Sequence, residues 1–203
     1  MSVLFVASDQ PGAGKTALCA ALAVSLINQG KSVTVFKPFA SGDSDTDGDS
    51  YHKLLGKTVD GWPAQTPASG LDEQSIDRVA QVVASISDDN DVTIVEGTNA
   101  LSLEDTASLV SGMNAAVVLV AAYRRDLTAS DLSSWKNALR DALIGVVVNG
   151  LTRHLATAAN EHLLPTFEVD GIKCLGILPE RRPLFAVITS LTAVHLDPHF
   201  LHH

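Results

Sequence analysis

The sequence predicts a doubly wound α/β fold, a mostly parallel sheet with helices on both faces. Short β-branched runs recur along the chain, each of strand length and apolar on both faces. Such runs suit parallel strands covered by helices on each side. Segments with helical apolar spacing lie between them, and this alternation implies right-handed crossovers. Ligands of such sheets bind at the carboxyl ends of the strands.

The first strand is the run Val3 to Ala7. A helix follows, marked by Leu18, Ala21, Leu22, Ser25 and Leu26 and closed by Gly30. Val33-Thr34-Val35-Phe36 is the second strand. Ile76, Val79, Ala80 and Val83 mark the next helix, and Val92-Thr93-Ile94-Val95 the third strand. Ser102-x-x-Asp105 and Thr128-x-x-Asp131 read as capping boxes with aspartate in the acidic role, each opening a helix. Ala116 to Ala121, Ile144 to Val148 and Cys174 to Leu178 complete six strands. Two stretches receive no assignment, Ser41 to Ser50 and Gly56 to Gly70, and the tail after Pro183 is mixed. There is no internal repeat and no linker, so residues 1–203 read as one domain.

Composition narrows the function classes. A chain of 203 residues buries roughly 70% of its unfolded surface and needs no staples. Hydrophobic residues are 46% and charged residues 18%, an ordinary globular balance, while 5% aromatics leaves the core aliphatic. Fourteen Lys and Arg against 23 Asp and Glu give a net charge of −9, which disfavours nucleic acid and anionic membrane surfaces as partners. Cys19 and Cys174 form no Cys-x-x-Cys pair and are too few for a disulfide scaffold. Met1 to Val6 contain no basic n-region, and no run approaches the ~18 apolar residues of a membrane helix. The expectation is a cytoplasmic protein with reduced thiols.

The strongest motif is Ser8-Asp9-Gln10-Pro11-Gly12-Ala13-Gly14-Lys15-Thr16, between the first strand and its helix. Gly12 and Gly14 let the backbone turn so that successive N–H groups face phosphate oxygens, and the helix N-terminus adds partial positive charge. Lys15 is expected to reach the β- and γ-phosphates and the Thr16 hydroxyl to ligate Mg²⁺. The nucleotide-binding residues so predicted are Gln10, Pro11, Gly12, Ala13, Gly14, Lys15, Thr16 and Ala17. Asp9 stands where the standard phosphate loop, G-x-x-x-x-G-K-[ST], has glycine. Glu96 ends a strand and precedes Gly97, which suits a carboxylate holding Mg²⁺ directly or through water.

The acidic segment Asp43-Ser44-Asp45-Thr46-Asp47-Gly48 opens like a calcium loop, but its twelfth position is Leu54 and a strand end precedes it, so the segment reads as a solvated loop. Asp49 begins a helical turn and is a third candidate ligand for Mg²⁺.

Gly-Lys-Thr, Phe36-Lys37-Pro38-Phe39-Ala40-Ser41-Gly42, Val95-Glu96-Gly97, Val148-Asn149 and Leu175-Gly176-Ile177-Leu178-Pro179-Glu180 occur in this order and together resemble dethiobiotin synthetase, a P-loop NTPase family. The resemblance spans nearly the whole chain. The Lys-Pro-x-x-Ser-Gly segment is its most specific element. Val-Glu-Gly-Thr and Pro179-Glu180-Arg181-Arg182-Pro183-Leu184 also resemble the dethiobiotin-synthetase-like amino-terminal domain of long phosphotransacetylases.

The resemblance implies ATP and Mg²⁺ as cofactors, a diamine and CO₂ as substrates, and ring closure through a phosphorylated carbamate. It implies Lys15, Lys37 and Ser41 as catalytic residues. Thr16, Asp49 and Glu96 would be the metal ligands. Asn149 would read adenine, with Pro179 and Glu180 completing the nucleotide site. It also implies a homodimer. The chain departs from the family at Gly12, where a glutamate is usual, and at Thr98-Asn99-Ala100, where Ala-Gly-Gly is usual after Glu-Gly. Thr98 and Asn99 are expected to crowd that turn.

Two functions therefore compete, an ATP-dependent cyclo-ligase and a regulatory nucleotide-binding module without synthetase chemistry. Lys37 and Ser41 favour the first; Gly12 and the altered turn favour the second. A partitioning ATPase of the signature-lysine type is disfavoured by Gln10. A small-molecule kinase would use Arg124-Arg125 or Arg181-Arg182 as phosphate clamps, although adjacent arginines are more often solvated. His195 and His199 are four apart, but Pro198 breaks the helix that a shared metal face needs.

Overall fold

A computed structural model describes residues 2–40, 51, 64–152, 165, 167 and 169–179. Asp43, Asp45, Asp47, Asp49, Ser41, Glu180 and the tail after Pro183 lie outside the described residues.

The element order is β1 (Ser2–Ser8), α1 (Lys15–Asn28), β2 (Val33–Phe36), β3 (Phe39–Ala40), β4 (Ala64–Gln65), α2 (Glu73–Asp88), β5 (Val92–Glu96), α3 (Leu103–Gly112), β6 (Ala116–Ala122), α4 (Ser133–Leu139), β7 (Leu143–Leu151) and β8 (Cys174–Pro179). Six strands form one sheet in the order β2-β5-β1-β6-β7-β8, and each neighbouring pair is parallel. This is the doubly wound α/β fold expected from the strand–helix alternation, and the six expected strands are its six strands. The short parallel pair β3-β4 was not anticipated. Two-residue strands carry too little apolar pattern to be seen in sequence.

The both-sided apolar runs divide between two cores. Val6, Ile94, Val118 and Val120 face α1, where Leu18, Cys19 and Ala23 pack. Their neighbours Phe5, Ala7, Val95, Val117 and Leu119 face the opposite side, with Val79 and Val83 of α2, Leu109 and Val110 of α3, and Leu139 of α4. Successive strand residues point to opposite faces, so one continuous apolar run fills both layers.

Local chemistry sets the helix ends. Gly30 adopts φ 80° and its N–H reaches the Ile27 carbonyl, closing α1 after Asn28. Asp72 caps α2 by accepting from the Ser75 N–H at 2.8 Å. Ser102 accepts from the Asp105 N–H at 3.0 Å and its hydroxyl donates to the Asp105 carboxylate at 2.7 Å, so α3 opens at the expected place but with a side-chain cap and not the reciprocal box. Thr128 and Asp131 form a reciprocal box, but it opens a single 3₁₀ turn, Ala129–Leu132, ahead of α4. No helix among the described residues is long and apolar enough to cross a membrane.

This topology brings the carboxyl ends of β5, β1, β6 and β7 side by side. The turn after β1 lies among them, between Glu96 on one side and Asn149 on the other.

Candidate functional site

The turn from β1 to α1 is built on two glycines in the left-handed region, Gly12 at φ 74° and Gly14 at φ 103°. Gly14 is the residue before α1, and it has no side chain for a second reason. A Cβ there would collide with the Asn149 carboxamide. The loop thus needs glycine at Gly14 both for its backbone angle and for the close approach of β7.

The β5 side of the loop gathers the side chains of Lys15, Thr16, Glu96 and Asn99. The Thr16 hydroxyl donates to Glu96 Oε1 at 2.7 Å. Glu96 is 3% exposed, and its other oxygen accepts from the Tyr51 hydroxyl. Lys15 Nζ donates to Ser8 Oγ at 2.8 Å and to Asn99 Oδ1. Asn99 Nδ2 donates in turn to the Ser8 carbonyl at 3.1 Å. Gly97 locks the turn that presents these groups. Its N–H bonds the Val6 carbonyl at 3.0 Å, and a Cβ on it would lie 2.6 Å from the buried Phe5 ring. Thr16 and Glu96 are hard oxygen donors beside one another and beside the phosphate-loop lysine, a set that fits Mg²⁺, which binds through one or two carboxylates plus substrate phosphates.

The β6–β7 side consists of tethers. Asp9 receives the Ala122 N–H at 3.0 Å and the Arg124 guanidinium at 3.0 Å. Its own N–H bonds the Val120 carbonyl at 3.1 Å. Arg124 also reaches Asp131 at 3.4 Å. The aspartate at the glycine position of the standard motif is therefore a strut that fastens the loop to the end of β6. Arg124 pairs with carboxylates while its side chain stays 35% exposed. Donation from the Thr128 N–H and hydroxyl holds the Asp131 carboxyl below the usual carboxylate range, with Arg124 adding to the effect. Asn149 Nδ2 donates to the Ala13 carbonyl at 2.8 Å, joining β7 to the loop.

Lys37 is 6% exposed. It follows Phe36, which pairs with Val95, so it stands level with Glu96 at the carboxyl edge. Gln10, Pro11, Gly12, Ala13 and Ala17 fall in or just after the turn, and Pro179 ends β8. Ser41, Asp49 and Glu180 lie outside the described residues. A cleft of about 220 Å³ opens beside the loop on the α3–α4 face, with Phe5, Leu101 and Trp135 as its apolar wall and Ser8, Thr98 and Asn99 as polar lining.

Sequence reasoning missed three contributors. Tyr51 gave no signal beyond a helical turn. The Asp9–Arg124 strut joins residues 115 apart in the chain. Asn99 was expected only as an obstruction; its place three residues after Glu96 was the available clue.

Loop, helix and strand-end carboxylate define a P-loop NTPase. A family model described as an AAA domain matches residues 2–187. The chain is 32% identical over 192 residues to the ATP-dependent dethiobiotin synthetase BioD of Rhodococcus erythropolis, covering 88% of this chain and 74% of that one. It is 28% identical to the enzyme of the same name from Streptomyces avermitilis, covering 88% and 84%. The match to the Mycobacteroides abscessus enzyme, 31% identical, covers 59% of this chain and spans 57% of that relative's length. The chain belongs to the dethiobiotin-synthetase-like P-loop NTPases. Solved structures share the fold: a putative plasmid partition protein from Borrelia burgdorferi bound to AMPPNP, with TM-score 0.63, 14% identity and 90% and 88% coverage, and the Aquifex aeolicus cell division protein MinD, with TM-score 0.61, 17% identity and 95% and 91% coverage.

Proposed function

We propose that this protein is a Mg-ATP-dependent cyclo-ligase that carboxylates a diamine and closes a ureido ring. The observation that carries the reading is the convergence of Lys15, the Thr16–Glu96 pair and the level of Lys37 on one carboxyl edge. One amine adds to CO₂ and loses a proton to give a carbamate. The carbamate oxygen takes the γ-phosphoryl group of ATP and ADP leaves. The second amine attacks the activated carbonyl, phosphate departs with its C–O bond, and the amine proton is released.

The chain's residues suit these demands. Lys15 and Lys37 neutralise charge developing on the transferred phosphoryl group and the carbamate. Thr16 and Glu96, with Asp49 as a third candidate, would hold Mg²⁺, which offsets the negative charge of the triphosphate. The family resemblance implies a role for Ser41 near the diamine or carbamate. Asn149 reads adenine in this proposal, and Pro179 and Glu180 complete the base site. The relatives' name, dethiobiotin synthetase, supports a diamine substrate; the homodimer and the cytoplasmic location belong to the same proposal through the family resemblance alone.

Incubation of pure protein with MgATP, bicarbonate and diaminononanoate tests the reading. Diamine-dependent ADP and a cyclic urea are expected. ATP binding without product would leave the second reading, a regulatory nucleotide-binding module, which Gly12 and the Thr98-Asn99-Ala100 turn favour.

A further inference from the structure

We infer that Asn99 is a positioning residue that stands in for a phosphate oxygen at Lys15, so that a nucleotide must take the lysine from it. The inference rests on the reading of the loop as a nucleotide site. Its ground is the hydrogen-bond pattern of one carboxamide. Asn99 Oδ1 accepts from Lys15 Nζ and lies 3.1 Å from Ser8 Oγ, while Nδ2 donates to the Ser8 carbonyl. That pattern sets the amide orientation, because a flipped amide would put N–H groups against the lysine and an oxygen against a carbonyl. The residue is exposed, so burial does not hold it there.

The position is built from β5. Gly97 locks the turn through the Val6 carbonyl and the Phe5 ring. From the same turn Glu96 holds Thr16 and Asn99 holds Lys15, so one strand end grips two successive loop side chains. A phosphate oxygen carries charge and forms a stronger bond with an ammonium than a neutral carboxamide does. Lys15 therefore passes from Asn99 to the phosphate, and the lost amide bond is subtracted from the binding energy. The lysine of a phosphate loop serves the β- and γ-phosphates. The subtraction consequently applies to di- and triphosphates and not to a monophosphate.

Calorimetric titration of ATP and ADP with Mg²⁺, with AMP measured by displacement of ADP, tests this on wild type, Asn99→Ala and Asn99→Asp. Asn99→Ala is expected to tighten ATP and ADP about three- to tenfold and leave AMP unchanged. Asn99→Asp keeps the shape but adds a charge that pairs with Lys15 and repels phosphate. It is expected to weaken ATP and ADP tenfold or more, with little change for AMP. Thermal melting of the ligand-free variants checks that both fold. Unchanged or weaker ATP and ADP binding in Asn99→Ala, or an equal change for all three nucleotides, overturns the inference while the nucleotide site stands. Absence of any nucleotide binding by the wild type overturns the nucleotide site itself.

Discussion

The two flanks of the phosphate loop are held by different kinds of bond. On the β5 flank, Lys15 and Thr16 are engaged through their own functional atoms, by Asn99 and Glu96. Under the proposed function, a metal ion or phosphate would compete for those same atoms. On the β6–β7 flank the contacts go to the loop's frame, with Asp9 tied to Ala122 and Arg124 and the Ala13 carbonyl tied to Asn149. The loop is thus tied through its frame on one side and through its functional side chains on the other. A phosphate site benefits from that division, since rigid amides preorganise the anion cradle while side chains change partners.

Substitutions on the two flanks should therefore fail differently. The largest effect is expected for Lys15→Ala, which should abolish measurable MgATP binding in calorimetry with little loss of thermal stability. Lys37→Ala should leave that binding mostly intact and stop turnover; equal loss of affinity in both would contradict the separate roles. Next comes Gly97→Ala, which forces a Cβ against the Phe5 ring. It should cost about 1–3 kcal/mol in denaturant unfolding and weaken nucleotide binding only indirectly. Arg124→Ala, on the anchored flank, should cost about 1–2 kcal/mol of stability by leaving Asp9 without its cation. A fall in MgATP affinity larger than the stability loss would erase the distinction between the flanks.

The smallest effect is expected from acid. The Asp131 carboxyl is held low in the fold by Thr128, so its contribution is present above the unfolded carboxylate value. That contribution drains away as pH falls through the lower folded value. Thermal melts of Asp131→Asn should separate slightly from wild type above about pH 4 and begin to converge with it as the pH falls below that value. A gap that persists unchanged into acid would show that charge is not the cause.

Much of the architecture was legible because its signals are local. A both-sided apolar run such as Val92 to Val95 needs a helix on each face, and Ser102 with Asp105 announces a helix start within four residues. The loop was legible for the same reason, since its glycines, lysine and threonine act through adjacent backbone. Less legible was the purpose of Asp9. A motif comparison registers it as a missing glycine, whereas its partner Arg124 comes into reach only when β1 and β6 pair.

The sequence alone determined the strand–helix alternation, the phosphate loop and the family resemblance, because each rests on residues close in the chain or on ordered motifs. Tertiary structure decided which side chains meet. Glu96 reaches Thr16, and Asn99 reaches Lys15, because parallel pairing sets β5 beside β1 with Val6 opposite Glu96. Sheet register is a long-range outcome of packing two cores at once. It turned a residue that read as an obstruction into the partner of the loop's lysine.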